Sequence, residues 1–186
     1  MVESDKKELF KYVRLYLGPD NWDLMKKTSQ AELALFQKFE LDMTSSYFVI
    51  GDKNLLNKFR AFYLTRCLKA RPLYSQSSLY EYFENSVRVE KDEYGLNVSK
   101  DLLFLYMHEH PVDFGKTMDF VAANVINRIA DRNRKGLVTI ILSELNVPEF
   151  EKCNEFEIIN LNRARDSHNI QHISTNNSSS KSNYTS

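Results

Sequence analysis

The chain has 186 residues, and its 25 Lys and Arg are balanced by 25 Asp and Glu, so the formal net charge is zero. This balance excludes an overall electrostatic attraction to nucleic acid or to an anionic membrane, and any such preference must be local. Hydrophobic residues make up 42% of the chain, but no apolar run approaches the roughly 20 residues of a membrane-spanning helix. Two Cys residues are too few for a disulfide framework or a cysteine-based zinc site. The charged amino terminus is unlike a secretory signal, so we expect an intracellular protein, cytoplasmic or nuclear.

The first half of the chain is predicted to form helices separated by short breaks. Apolar residues recur at helical spacing over residues 4–17, and the Gly-Pro pair that follows is expected to end this helix. A capping box favours a second helix over Ser29–Asp42, while Tyr47–Ile50 favours a short β-element. Asp52 is positioned to cap a long helix over Lys53–Ala70, whose apolar face is wide.

The second half mixes regular and ambiguous patterns. A capping box opens a helix over Ser78–Ser86, and Asp113–Arg132 has the most regular helical spacing in the chain. Ser99–His110 is also predicted to be helical, and its uniformly apolar centre indicates a buried, central helix. The short apolar run Leu137–Leu145 fits either a buried helix or a strand, and we favour the helix. A last helix is predicted over Asn146–Arg163.

Together these elements predict an all-α fold, a compact orthogonal bundle of about seven or eight helices. A minor β-element at Tyr47–Ile50 or Val87–Val98 is compatible with that bundle. The bundle is expected to form one domain over residues 1–165. Residues 166–186 are predicted to be a disordered tail, because the end of the chain is mostly small and polar and cannot bury enough apolar surface to fold.

Known catalytic motifs are incomplete in the sequence. Gly115-Lys-Thr117 has the ending of a phosphate-binding loop, but His110 stands where that motif requires its first glycine. Neither the Gly-rich dinucleotide fingerprint nor the nucleophile elbow of hydrolases occurs. Cys67 lies on the apolar side of its predicted helix, and Cys153 is surrounded by acidic residues that disfavour a thiolate. We therefore predict a protein that is not an enzyme and has no catalytic residues.

The histidines are the remaining candidates for metal ligands. They form two pairs, His108 with His110 and His168 with His172. On a helix, residues two apart point in different directions, and the second pair falls in the predicted tail. We therefore predict neither a metal site nor a bound cofactor.

Three loops partly match the calcium-binding loop that joins the two helices of an EF-hand. The loop Asp131–Gly136 has the required Asn and Gly, but Lys135 and Leu142 replace two of the oxygen ligands. The loops that begin at Asp42 and Glu90 match less completely. These patterns leave open a degenerate, calcium-independent relative of the EF-hand, or loops that use Asp, Asn and Gly only because turns favour them.

Two predicted helix faces concentrate positive charge. Cations alternate with aromatic residues over Lys53–Arg71, and Arg128–Lys135 adds a second cluster. The candidate nucleic-acid residues are Lys53, Lys58, Arg60, Arg66, Lys69, Arg71, Arg128, Arg132, Arg134 and Lys135. If both faces meet, they form a patch that can hold phosphates; otherwise each is the polar side of an amphipathic helix.

These observations support three functions, in decreasing order of preference. The favoured one is a protein-interaction module, namely an adaptor, accessory subunit or inhibitor that binds another protein through its helical surface. The alternative is a nucleic-acid-binding protein that uses the two basic faces, and the third is a calcium-independent, EF-hand-like helical adaptor. An enzyme with an unrecognised site ranks below all three, and no membrane partner is expected. The sequence does not name the partner or the oligomeric state.

Overall fold

A computed structural model of the chain describes residues 3–88, 100–107 and 118–167. The helices in these ranges are α1 (Glu3–Lys27), α2 (Gln30–Gln37), α3 (Lys53–Arg66), α4 (Leu79–Arg88), α5 (Met118–Arg134) and α6 (Pro148–Lys152), with a 3-10 turn at Cys67–Lys69 and a helical segment over 161–167. The strands are β1 (Tyr47–Ile50), β2 (Tyr74–Ser78), β3 (Leu102–Met107), β4 (Val138–Ser143) and β5 (Glu157–Asn160). From β1 onward, helices and strands alternate along the described chain.

The strands form one five-stranded parallel sheet in the order β2-β3-β4-β1-β5. Its register places Phe104 of β3 beside Ile140 of β4, and Ile140 beside Tyr47 of β1. Because the strands are parallel, their carboxyl ends meet along one edge of the sheet. Ligands of open α/β folds usually bind outside that edge, so it is the first place to look for a functional site.

Helices cover both faces of the sheet. Alternate strand residues point to opposite faces, and those of one face, such as Phe104 and Ile140, pack with α1, α2 and α3. The residues between them, such as Leu105 and Ile141, pack with α4, α5 and α6. We call these groups of helices the α3 layer and the α5 layer; they enclose the sheet in a three-layer α/β/α arrangement.

The prediction of an all-α bundle is wrong. The segment expected to be a central helix, Ser99–His110, contains β3, and Leu137–Leu145 contains β4 instead of the favoured helix. Both strands are buried on both faces, and such strands carry continuous apolar runs in place of the usual alternation. Phe104 is fully buried, as expected of a central element, but it lies in a strand. The predicted last helix, Asn146–Arg163, is divided into α6, β5 and the start of a helical segment.

The predicted helix starts are confirmed where a side chain caps the backbone. Ser29 and Glu32 form both hydrogen bonds of the capping box that opens α2. Asp52 accepts a hydrogen bond from the backbone N–H of Leu55 at 2.9 Å, which caps α3. Ser78 caps α4 in the same manner. Such contacts join residues three apart, so they form whatever structure surrounds them.

The first predicted helix ends at Gly18, as expected, and a second helical part of α1 follows it. At Gly18 the backbone adopts φ 75° and ψ 166°, a conformation that glycine reaches far more easily than other residues. α1 bends at this residue and resumes with Pro19, whose missing N–H is tolerated in the first turn of a helix.

The EF-hand-like interpretation is also wrong, because the loop that matches best leads from a helix into a strand. Asp131–Gly136 joins α5 to β4, and the side-chain oxygen of Asn133 accepts a hydrogen bond from the Ser46 hydroxyl at 2.6 Å. The Asn133 amide donates to the carbonyl of Glu155 at 3.0 Å, so this side chain links the segments that lead into β1 and β5. The loop that begins at Asp42 leads into β1, again not into a helix.

Several predictions fall outside the described residues. These are most of the β-element proposed at Val87–Val98, the loop that begins at Glu90, the pair His108 and His110, the sequence Gly115-Lys-Thr117, and the tail beyond residue 167. Residues 166–167, assigned to the tail, still belong to the helical segment. The division into a domain and a tail therefore stays a prediction. In the ranges that are described, no helix is both long and apolar enough to cross a bilayer.

Candidate functional site

A cleft of about 370 Å³ opens at the carboxyl ends of β2 and β3, beside the first two turns of α3. Its lining residues are Lys53, Asn57, Arg60, Gln76, Ser77, Ser78 and Tyr106. The three from α3 are spaced i, i+4 and i+7, so they share one face of that helix. The others are the last residues of β2 and one near the end of β3. Because β2 is an edge strand, this cleft, the α3 cleft, lies at the margin of the sheet.

Arg60 links three elements within the α3 cleft. Its Nε donates to Oδ1 of Asn21 in α1 at 3.0 Å, and its Nη1 donates to Oε1 of Gln76 in β2 at 2.9 Å and to the hydroxyl of Tyr106 in β3. Asn21 is itself buried and donates to the carbonyl of Leu17 at 2.9 Å, which fixes its orientation. The fold therefore holds the guanidinium of Arg60 in a defined position.

The positive charge of Arg60 is not compensated by a carboxylate in the described part of the chain. All three of its acceptors are neutral, and its Nη2 group forms no hydrogen bond to any described residue. Lys53, exposed at the mouth of the cleft, likewise has no ion pair within those ranges. A half-buried cation without a counter-ion is unfavourable, and a bound anion relieves this cost through charge-assisted hydrogen bonds.

Lys58 differs from these two residues, although it lies on the same helix. Its Nζ is 2.7 Å from Oε1 of Glu32 in α2, and only 12% of its side chain is exposed. Burial alone would raise the pKa of Glu32, but hydrogen bonds from Lys58 and Ser29 outweigh it, and the pKa is lowered. Lys58 thus joins α2 to α3 and does not line the cleft.

Tyr106 supplies an aromatic wall next to the cations. The guanidinium carbon of Arg60 lies 5.4 Å from the centre of its ring. Burial raises the pKa of Tyr106 to about 12, although the Arg60 charge acts in the opposite direction. Tyr106 is therefore neutral at physiological pH and leaves the positive charge of the cleft intact. Cations beside an aromatic ring and the Gln76 amide can bind a phosphate and stack a base.

The rest of the first basic segment lies away from the cleft. Arg66 is exposed near the other end of α3, about 20 Å from Lys53 along the helix axis. Lys69 and Arg71 follow it and are also exposed. Arg71 stacks on Tyr12 of α1, with 4.6 Å between its guanidinium carbon and the centre of the ring. These cations form a separate surface at the opposite edge of the sheet.

The second basic segment does not meet the first. Arg128–Lys135 belongs to the end of α5 and the loop after it, in the α5 layer, whereas α3 lies across the sheet. Arg128 is half-exposed, Arg134 pairs with Asp131 at the surface, and Lys135 is exposed. One continuous patch built from both predicted faces is therefore excluded by the fold.

Arg132 is the one member of the second segment that is fully buried, with 2% of its surface exposed. Its Nε donates to the hydroxyl of Thr139 at 2.9 Å, and its Nη2 donates to the carbonyls of Lys100 at 2.9 Å and Val138 at 3.1 Å. Burial lowers its pKa, while Tyr82 and Asp101 act in the opposite direction. The side chain ties α5 to the starts of β3 and β4 and has no access to a ligand.

The connection from β1 to α3 also lies at the carboxyl edge of the sheet. It consists of Gly51 and Asp52 alone. Besides capping α3, Asp52 accepts a hydrogen bond from Nη1 of Arg165 at 2.9 Å. Gly51 is buried, and a Cβ at this position would lie 3.3 Å from Cβ of Leu161 in the helical segment that follows β5.

The remaining candidates for chemistry are poorly placed for it. Burial raises the pKa of Cys67 to about 11 and also raises the pKa of Cys153, so neither thiol is activated. Within the described ranges, no group of three or more His, Cys, Asp or Glu side chains could hold a metal ion.

The sequence identified Lys53 and Arg60 but missed the side chains that position the guanidinium. Asn21 follows the Gly18-Pro19 pair, and no local pattern marks it as a site residue. Gln76 and Tyr106 become site residues only once β2 and β3 are known to be neighbouring parallel strands. Polar residues at the end of a strand are the usual sign of such a site, but here the strands themselves were not recognised.

Comparisons with known proteins give similarity in fold only. No family model and no curated protein matches the sequence. Among solved structures, a DNA replication initiation factor is similar at 14% identity and a TM-score of 0.39, over 84% of this chain and 50% of that one. The replication initiator DnaA bound to AMPPCP and single-stranded DNA is similar at 15% identity and a TM-score of 0.40, over 77% and 46%. A protein described as a primosome component of Streptococcus pyogenes serotype M3 shows 14% identity and a TM-score of 0.38, over 70% and 75%.

The chain spans about half the length of the two replication initiators. The favoured prediction of a protein-interaction module is wrong. It depended on the surface of a helical bundle, and the chain forms a parallel sheet between helices instead.

Proposed function

We propose that the chain binds nucleic acid through the α3 cleft, without a catalytic step. The observation that carries the proposal is Arg60, which is held by neutral partners at the carboxyl edge of a parallel sheet and keeps its Nη2 group unengaged by the described residues. The planar N–H donors of a guanidinium match the oxygens of a phosphate, so Arg60 can bind one with charge-assisted hydrogen bonds. This is the alternative raised by the sequence, restricted to one of its two basic segments.

The other groups of the cleft favour a nucleotide chain over an isolated phosphate. Lys53 adds a second cation on the same face of α3 as Arg60, about two turns away, and the Tyr106 ring offers a surface on which a base can stack. Asn57 and Gln76 present amides, which can hydrogen-bond base edges. The margin of the sheet is open at this point, so a polymer can enter and leave the cleft.

The exposed cations at the far end of α3 support a polymeric ligand. Arg66 lies about 20 Å from Lys53 along the helix, a distance that spans several phosphates at 3.4 Å per nucleotide of one strand. A small anion contacts one of these surfaces, whereas a nucleic acid contacts both. Nucleic-acid binding also implies an intracellular protein, in the cytoplasm or the nucleus.

The test is a comparison of two charge reversals by fluorescence anisotropy with a labelled single-stranded oligonucleotide. Lys53→Glu is expected to weaken binding by about tenfold or more, because a cation that contacts phosphate becomes an anion. Lys135→Glu, which changes an equally exposed lysine beyond the α5 layer, is expected to leave the affinity unchanged.

Both lysines are exposed and lack an ion pair with any described residue, so the two variants change the net charge equally and disturb the fold little. Equal losses of affinity would mean that only overall charge matters and would contradict a site at the α3 cleft. Absence of binding by the unaltered chain at low salt would reject the proposed function.

A further inference from the structure

We propose that the amino terminus of α3 is closed to nucleotides by a carboxylate of the chain itself, and that ligand binding in the adjacent cleft therefore needs no nucleotide. The first half of this inference stands on geometry alone. The second half rests on the proposed function.

The amino terminus of α3 lies where parallel α/β folds commonly bind a nucleotide phosphate. A helix that follows a parallel strand presents free N–H groups and the positive end of its dipole at the carboxyl edge of the sheet. Phosphate-binding loops at this position place a motif of eight residues, G-x-x-x-x-G-K-[ST], between the strand and the helix so that backbone amides surround the phosphates. α3, with 14 residues, follows β1 in this manner.

The residues present do not fit a bound triphosphate. Only Gly51 and Asp52 separate β1 from α3, too few to form a loop around phosphates. The N–H of Gly51 donates to the carbonyl of Ser143 at 3.1 Å, so it is not free for a ligand. Leu161 covers the other side of Gly51, where an added Cβ would meet it at 3.3 Å.

Asp52 supplies the negative charge that a phosphate would otherwise bring. One carboxylate oxygen accepts the N–H of Leu55 at 2.9 Å, and the other accepts Nη1 of Arg165 at 2.9 Å. A carboxylate at the first turn stabilises the helix dipole as an anionic ligand does. A phosphate brought to this place would compete with the Asp52 carboxylate for the Leu55 N–H.

The experiment records amide chemical shifts of the isotope-labelled full chain during titration with Mg-ATP. The reporter is the Leu55 amide, since it is the group that Asp52 occupies. We expect this resonance to remain in place at millimolar Mg-ATP, even if residues of the α3 cleft respond to the polyanion. A saturable shift of the Leu55 amide in the unaltered chain would overturn the inference.

Two substitutions of Asp52 distinguish the effect of its carboxylate on phosphate binding from the effect of the short loop. In Asp52→Gly the Leu55 N–H loses its acceptor, and a capping position tolerates glycine far better than alanine. Inorganic phosphate is then expected to shift the Leu55 amide, with about tenfold tighter binding than to the unaltered chain. Asp52→Asn keeps a capping oxygen but loses the negative charge, so its affinity for phosphate is expected to lie between those of the unaltered chain and Asp52→Gly. If Asp52→Gly binds phosphate no better than the unaltered chain, the carboxylate is not what closes the site.

Whether binding in the α3 cleft needs a nucleotide is tested by measuring oligonucleotide affinity with and without Mg-ATP at matched ionic strength. An unchanged affinity is expected, and a change of about tenfold or more would overturn nucleotide independence. A chain that binds no oligonucleotide fails the proposed function, whereas the Leu55 result still decides whether the helix terminus is closed.

Discussion

Two arginines on opposite faces of the sheet show how differently the same side chain is used. Arg132, in the α5 layer, is fully buried and donates to two backbone carbonyls and one hydroxyl. Arg60, in the α3 layer, is half-buried and donates to two side-chain amides and a phenol, and its Nη2 has no acceptor among the described residues. The first arrangement completes the structure of the chain. The second leaves capacity for an anionic ligand.

Burial and the donor group that the described residues leave unengaged therefore distinguish the two arginines, and charge density does not. Both segments are comparably basic in the sequence, but only the segment of Lys53 and Arg60 reaches the carboxyl edge of the sheet with its charge unpaired in the described structure. In the other segment, Arg134 forms a local ion pair, an interaction worth little at the surface.

The largest expected difference between the two layers is their response to alkaline pH. Burial raises the pKa of one described tyrosine in the α5 layer, Tyr80, and of four packed in the α3 layer. The four are Tyr16, Tyr47, Tyr63 and Tyr106. Because the folded chain holds these protons more tightly than the unfolded chain, their contribution to stability is complete below pH 10. It is lost as the pH rises from about 10 towards 12 and beyond, where we expect the chain to unfold.

Denaturant unfolding at a series of pH values measures this effect, with phenolate absorbance as a second signal. The free energy of unfolding should be level through neutral pH and should fall steeply above pH 10. Tyr106→Phe removes one of the titrating groups and should make that fall less steep. Stability that stays constant well above pH 11 would contradict the burial of these phenols.

The next largest effect is expected from Arg132→Ala. The substitution removes at least three hydrogen bonds, leaves their acceptors buried and opens a cavity, so we expect a loss of about 3 kcal/mol in the free energy of unfolding. Arg134→Ala is the control, since it removes only an exposed ion pair and should cost less than about 0.5 kcal/mol. Urea unfolding distinguishes them, and similar losses from both variants would show that Arg132 is not the structural arginine.

Helix caps are the part of the fold that the sequence predicts best. Ser29 and Asp52 cap helices as expected, because each contact spans three residues and is decided locally. The strands depend on distant partners. Leu102–Met107 is rich in residues that favour helices, and its burial between two helical layers removes the alternation that identifies an exposed strand. The β-branched residues of Val138–Ser143 favour a strand. The prediction of a buried helix for this run gave them too little weight.

The candidate site shows the same division. Lys53, Asn57 and Arg60 share a helix face that can be read from spacing alone. Gln76 and Tyr106 join them only because β2 and β3 are adjacent and parallel, a pairing between residues far apart in the chain. Arg132 looks like another surface cation in the sequence, since nothing local reveals the carbonyls of Lys100 and Val138 around it.

Arg60→Ala should affect ligand binding more than stability, the reverse of Arg132→Ala. We expect oligonucleotide affinity to fall by about tenfold, which corresponds to about 1.4 kcal/mol. The free energy of unfolding should fall by only about 1 kcal/mol, because the cleft is open and water can replace the guanidinium at the exposed Gln76. Arg60→Lys keeps the charge without the planar donors and should bind with intermediate affinity. Unchanged affinity in Arg60→Ala would place the ligand elsewhere.

The salt dependence of binding is expected to change least, but this change reports phosphate contacts most directly. Each cation that contacts a phosphate releases a counter-ion, so the logarithm of the affinity falls with the logarithm of the salt concentration in proportion to the number of contacts. Lys53→Ala should reduce the magnitude of this slope by about 1, and Lys135→Ala should leave it unchanged. Anisotropy titrations over a range of salt concentrations measure both slopes. If Lys53→Ala lowers affinity at a constant slope, Lys53 contributes through something other than phosphate, and the contrast between the two layers rests on Arg60 alone.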